Sequence, residues 1–168
     1  PRMQTTPLTR DALRAYRRVT VMGLGLFGGG AGVARYFAEL GAKVTVTDMA
    51  SADKLAASVA SLKDLPIDFA LGWHPEHVFT DADLVVPSQA VRLDNGYLEL
   101  ARRRGIPIAT ETGLALALNR APWIAVTGSS GKSTTAALAA HMLSRADERT
   151  LFGGNIGGNL VTVVERHP

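Results

Sequence analysis

The sequence has no cysteine, so a disulfide framework, a zinc ribbon and thiol catalysis are excluded, and nothing points to an oxidising compartment. The cytoplasm is the expected location. Long hydrophobic runs are also missing. No stretch approaches the roughly 18 apolar residues that a membrane-spanning helix needs, and Pro1-Arg2-Met3-Gln4 has no apolar signal-peptide core. Pro1 suggests that the native start lies upstream. An excess of one charge is absent too, since 18 Lys+Arg stand against 15 Asp+Glu for a net +3. The pI of about 9.6 therefore reflects arginine titration at alkaline pH, not a nucleic-acid-binding surface. Aromatic residues are only 6% of the chain, and Trp73 and Trp123 read as packing residues rather than stacking platforms.

What remains is 168 residues, 46% apolar and with 17 glycines, enough for one domain and part of another. One unit recurs along them: a short β-branched run, a glycine-rich or polar turn, then an apolar stripe at helical spacing. That pattern specifies an α/β protein with a parallel sheet. Arg18–Met22 is the first predicted strand, Gly23–Gly30 its turn, Ala31–Leu40 a helix and Val44–Thr47 a second strand ending at Asp48. A helix from Ser51 or Asp53 to Leu65, strands at Ile67–Leu71, Asp83–Val86 and Ile106–Ala109, and helices at Tyr97–Arg104 and Glu111–Leu118 follow. Ala121-Pro122 marks a linker. The pattern then restarts with a strand at Trp123–Val126, a Gly/Ser loop, a helical stripe through Leu143 and a last strand-like run at Thr150–Phe152. The expected architecture is a Rossmann-like domain over residues 1–120, followed by the start of a P-loop ATPase domain over 121–168 that is cut short before its sheet is complete.

Two glycine motifs carry chemistry. Thr127-Gly128-Ser129-Ser130-Gly131-Lys132-Ser133-Thr134 lies between an apolar run and a helical stripe, the setting of a phosphate loop. Its glycines let backbone N–H groups turn towards phosphate oxygens, and the helix that follows adds a partial positive charge. Lys132 is placed to reach the outer phosphates of ATP, and the Ser133 hydroxyl to ligate Mg²⁺. Gly23-Leu24-Gly25-Leu26-Phe27-Gly28 is a GxGxxG after the first strand, with Asp48 twenty residues beyond its last glycine. Gly23 permits a tight turn, Gly25 lets a diphosphate approach the backbone, Gly28 packs helix on strand, and Asp48 offers a carboxylate. Alone this motif reads as NAD binding. Followed by a phosphate loop, it points to a nucleotide-linked substrate in the first site and ATP in the second.

These residues, together with Asp81–Ser88, Gly105-Ile106-Pro107-Ile108 and Gly153-Gly154-Asn155-Ile156-Gly157, resemble the Mur ligases of peptidoglycan synthesis, from about Val19 to Asn159. Within that family the Gly153–Gly157 run points to the D-glutamate-adding branch. The resemblance implies an ATP- and Mg²⁺-dependent ligase. It would phosphorylate the carboxylate of UDP-N-acetylmuramoyl-L-alanine and let the amine of D-glutamate attack the resulting acyl phosphate. It implies that Leu26, Phe27 and Asp48 lie around the uridine diphosphate, with Asp48 facing the uracil and Gly25 among the substrate-binding residues. Ser88 would close the diphosphate side, and Asn155 would touch the muramoyl-alanine end. Lys132, Ser133 and Asn155 are then the residues nearest the chemistry, and no side chain acts as nucleophile. A monomeric enzyme with no nucleic-acid or membrane partner is expected. Further catalytic groups and the amino-acid-binding domain of the family have no counterpart here, so this stretch alone should not turn over.

Other features have plainer readings. His74-Pro75-Glu76-His77 reads as a surface loop and not a metal site. Arg102-Arg103-Arg104 suits the C-terminal dipole of a helix, and Arg14, Arg17, Arg18 and His141 read as solvated surface. The alternatives are an L-alanine-adding Mur ligase, against which Ser130 and Gly153–Gly157 argue, and a non-catalytic Rossmann nucleotide sensor.

Overall fold

The apolar runs become a sheet in which β1, β2 and β4 are mostly buried and β3 forms a half-exposed edge. In a computed structural model, which describes residues 8–25, 29–147, 149–154 and 159–165, the strands are β1 (Arg18–Met22), β2 (Lys43–Asp48), β3 (Ile67–Leu71) and β4 (Leu84–Pro87). The helices are α1 (Arg10–Ala15), α2 (Gly29–Glu39), α3 (Ala56–Ala60), α4 (His77–Thr80), α5 (Gly96–Arg103), α6 (Glu111–Leu118), α7 (Lys132–Ala146) and α8 (Leu160–Glu165). All strand pairs are parallel, in the order β3-β2-β1-β4.

The two-residue period of the strands sorts side chains between two cores. Val19 and Val21 pair in register with Val44 and Val46 on one side and with Leu84 and Val86 on the other. These six join Val33, Ala34 and Phe37 of α2, Leu114 and Leu118 of α6 and Leu13 of α1 in the larger core. Met22 and Val85 point the other way, to Val78 and Phe79 of α4 and Leu98 and Ala101 of α5. Thr20 also faces that side, and its buried hydroxyl donates to the Val78 carbonyl. Helices thus cover both faces, as the apolar runs require. Capping follows the sequence: Thr9, Asn95 and Thr110 accept backbone N–H groups at the starts of α1, α5 and α6.

Several expectations change. Ile106–Ala109 forms only a bridge, Val85 to Ile108, held by Val85 N–H to the Pro107 carbonyl and Ala109 N–H to the Val85 carbonyl. The next parallel bonds would need the N–H groups of Pro87 and Pro107, which proline lacks, so both ends of this ladder are blocked. The Ser51–Leu65 helix is reduced to Ala56–Ala60 between turns. Trp123–Val126 and Thr150–Phe152 are not strands. A strand needs a ladder partner, and among the described residues none lies beside them. Trp123 and Ile124 are accordingly 60% and 72% exposed. Helices α1, α4 and α8 were not expected. α8 packs on α2 and α6, and its Val161 is buried in the larger core, so chain beyond residue 121 returns to the first body. Among the described residues no helix is long and apolar enough to cross a membrane.

Candidate functional site

The site is built at the carboxyl ends of β1, β2 and β4. β1 and β4 are neighbours whose connections leave in opposite directions along the sheet, so a crevice opens between them, the usual place for a ligand in this architecture. β1 runs directly into Gly23 and Gly25, with φ of +94° and +70°, a left-handed backbone that glycine adopts without steric cost. Gly23 N–H donates to the Thr47 carbonyl at 2.7 Å, and Ser88 N–H donates to the Met22 carbonyl at 2.8 Å, so the turn is pinned to both neighbouring strands. Ser88 sits against Gly23 so closely that a β-carbon on Gly23 would press on its hydroxyl.

Asp48 closes the turn from β2. Its Oδ2 accepts the N–H groups of Leu24 at 2.8 Å and Gly25 at 3.3 Å, and its Oδ1 accepts Ala50 N–H at 2.8 Å. Charge-assisted bonds of this kind fix the turn's shape. Gly25, Asp48 and Ser88 therefore lie around one turn. Leu26, Phe27, Gly28 and Asn155 lie outside the described residues. The close helix-to-strand approach assigned to Gly28 is seen at Gly30, where a β-carbon would collide with the Gly23 carbonyl and the backbone of Leu24. The run Gly28-Gly29-Gly30 was the available signal. Ser58 was also missed; its hydroxyl donates to the Gly25 carbonyl at 3.0 Å.

His74, in the loop between β3 and α4, is half-buried. Its Nδ1 lies 2.9 Å from the Thr47 hydroxyl, and its ring packs edge-on against Phe79 and Tyr97. Burial pushes its pKa below the ordinary imidazole value, against the opposing pull of the Asp48 charge.

The second cluster is the loop before α7. Gly131 is the N-cap of that 15-residue helix, with φ +73° and no side-chain cap, and Gly128 also has positive φ. The first N–H groups of α7 are thus left for another acceptor, the condition that suits an anion. Lys132 is the helix's first residue, and its Nζ donates back to the Gly128 carbonyl, so the ammonium lies over the loop. Gly128–Gly131, Ser133 and Thr134 are exposed. No hydrogen bond among the described residues joins this cluster to the glycine turn.

A parallel sheet with a glycine turn at its switch point, closed by an acid from the adjacent strand, defines a Rossmann-like α/β domain. Comparison narrows the class. A family model described as "Mur ligase MurD-like, N-terminal domain" matches residues 17–110, and the chain belongs to that family. It is 44% identical over 142 residues to the UDP-N-acetylmuramoylalanine--D-glutamate ligase of Roseiflexus sp. (strain RS-1), covering 84% of this chain and 30% of that protein. The protein of the same name from Borreliella afzelii (strain PKo) is 44% identical over 139 residues, covering 82% of this chain and 30% of the relative. The chain thus spans less than a third of the length of these relatives. Among solved structures, UDP-N-acetylmuramate-alanine ligase MurC from Thermotoga maritima aligns with a TM-score of 0.51 and 28% identity, over 84% of this chain and 34% of that one.

Proposed function

We propose that this chain is the N-terminal part of an ATP-dependent carbon–nitrogen ligase that joins D-glutamate to UDP-N-acetylmuramoyl-L-alanine. The observation that supports the proposal is the succession of two glycine turns in one chain, one built into the sheet and one at an uncapped helix start. The first is tied off by Asp48 at the sheet's switch point, and the second stands uncapped at α7 with a lysine over it. The names of the D-glutamate-ligase relatives supply the substrate pair.

Residues 1–120 form the sugar-nucleotide half and residues 121–168 the beginning of the ATP half. In the first, Gly25 offers open backbone, Ser88 a hydroxyl at the diphosphate side and Asp48 a rigid frame that faces the uracil; Leu26, Phe27 and Asn155 complete the contacts. In the second, the N–H groups of Gly128, Ser129, Ser130 and Gly131, the start of α7 and Thr134 receive phosphates. Lys132 neutralises their charge, and Ser133 presents an oxygen to Mg²⁺. The residues present fit both groups, since an uncapped helix start with positive-φ glycines is a cradle that a larger residue would spoil. When bound, ATP with Mg²⁺ supplies the phosphoryl group that makes a substrate carboxylate electrophilic towards the amine. The chain's own contribution to that step is electrostatic: a lysine and aligned amides placed where negative charge accumulates.

The test is Lys132→Ala in the ligase of which this chain is part. Acyl-phosphate formation should vanish while uridine-nucleotide affinity stays within about two-fold. Retained phosphoryl transfer would remove Lys132 from its role.

A further inference from the structure

The course of the chain between the two clusters has a property that neither glycine motif explains. It leaves the sheet body at the end of α6, where Asn119 closes a turn on Ala121 through both amide atoms. It returns at Asn159, beside the start of the same helix. Glu111, the first residue of α6, is 7% exposed. Its Oε1 accepts Leu160 N–H at 3.2 Å, and its Oε2 lies against Gly29, the first residue of α2. Asn159 donates from Nδ2 to the Gly29 carbonyl at 2.8 Å, and its Oδ1 accepts Thr162 N–H at 3.0 Å, capping α8. Gly32 leaves room for that amide, because a β-carbon there would strike it. Val161 then seals the joint inside the larger core.

The described residues between 120 and 154, the Lys132 loop among them, therefore lie between two attachments to one eight-residue helix. A single linker lets a following segment swing, whereas two anchors on one rigid element restrict it. We propose that Glu111 and Asn159 are positioning residues that clamp the returning chain to the starts of α6 and α2, limiting how far the Lys132 segment can move relative to the Gly23–Gly25 turn. The purpose of the clamp rests on the proposed function, because phosphoryl transfer between two bound substrates needs their sites held in register. Its existence does not.

The absence of cysteine makes the test direct. Cysteines introduced as Arg103→Cys on α5 and Ser144→Cys on α7, both exposed positions, carry spin labels, and the inter-label distance distribution is measured without nucleotide. It should be narrow in the parent chain, broaden at least two-fold in Glu111→Ala and in Asn159→Ala, and narrow again in Glu111→Gln, whose side-chain oxygen still accepts Leu160 N–H. A parent distribution already as broad as that of Glu111→Ala, or one unmoved by either alanine variant, would overturn the clamp. Should Glu111→Ala not fold, Asn159→Ala and Glu111→Gln decide alone. Amide exchange gives a second reading: residues 160–164 should exchange at least ten-fold faster in Asn159→Ala, while β1–β4 stay protected. Unchanged protection there would also defeat the proposal. Neither measurement involves a nucleotide, so a failure of the ligase reading leaves both outcomes interpretable.

Discussion

Two glycine turns in this molecule follow apolar runs and precede helices, yet they are held in different ways. The turn after β1 is inside the fabric of the fold: Met22 and Leu24 are buried, Asp48 takes two of the turn's N–H groups, and Gly30 has no room for a β-carbon beside the Gly23 carbonyl and the Leu24 backbone. Among the described residues, no strand lies beside the loop before α7, α7 has no buried residue, and the lysine's hydrogen bond is to the loop's own carbonyl. A glycine motif thus states that a turn can form; whether it is rigid depends on partners elsewhere in the chain. In the first case β2 and β4 supply them. In the second, no described strand does.

This contrast can be broken by substitution, and the largest effect is expected at Gly30. Gly30→Val forces a branched side chain into the Gly23 carbonyl and should cost about 3 kcal/mol or more of unfolding free energy, visible as a large drop in Tm. A tolerated valine would mean that the turn is not packed as described. The matching change in the exposed loop, Gly131→Ala, meets no atom and pays only for left-handed backbone, about 1–2 kcal/mol. Next comes Asp48→Ala. It leaves the N–H groups of Leu24 and Gly25 without their acceptor and should destabilise the first body by about 2 kcal/mol in urea unfolding. Lys132→Ala should move stability by no more than about 0.5 kcal/mol. Equal destabilisation by the two would erase the distinction between a built turn and an exposed one.

The smallest predicted effect is in pH. Burial raises the pKa of Glu111 above the ordinary carboxylate value, opposed by the bond from Leu160 N–H. A carboxyl whose folded pKa is raised contributes stability that is fully present below its unfolded value and is lost as pH rises through the folded one. Thermal stability and α8 protection should therefore decline modestly as pH climbs above the ordinary carboxylate range, and Glu111→Gln, which cannot ionise, should flatten that slope. An identical slope in the glutamine variant would assign the pH dependence to another group.

How much was legible follows from which forces are local. Strands Arg18–Met22 and Ile67–Leu71 and helix Glu111–Leu118 were read residue for residue, because β-branched runs, proline stops and the Thr110 cap all act within a few residues. The pairing of the Gly25 turn with Asp48 was legible from the spacing between turn and acid, and Ser88 entered through the family resemblance, although the sequence could not tell that the acid's oxygens are engaged by the turn itself. The strand expected at Ile106–Ala109 failed for a reason that needs register: only once Val85 faces Ile108 do Pro87 and Pro107 fall at the two donor positions. His74 reads as polar surface until Phe79 and Tyr97 close around it. α8 and the Glu111–Asn159 clamp escaped because their bonds span 49 and 130 residues, a separation over which sequence periodicity carries no information.

The central claim is that the first turn holds a uridine nucleotide-sugar and not a dinucleotide. Calorimetric titration of the chain with UDP-N-acetylmuramoyl-L-alanine and, separately, with NAD tests it most directly. The account predicts saturable heat with the uridine ligand, weakened in Asp48→Ala, and none with NAD; binding of NAD with no response to the uridine ligand would contradict it.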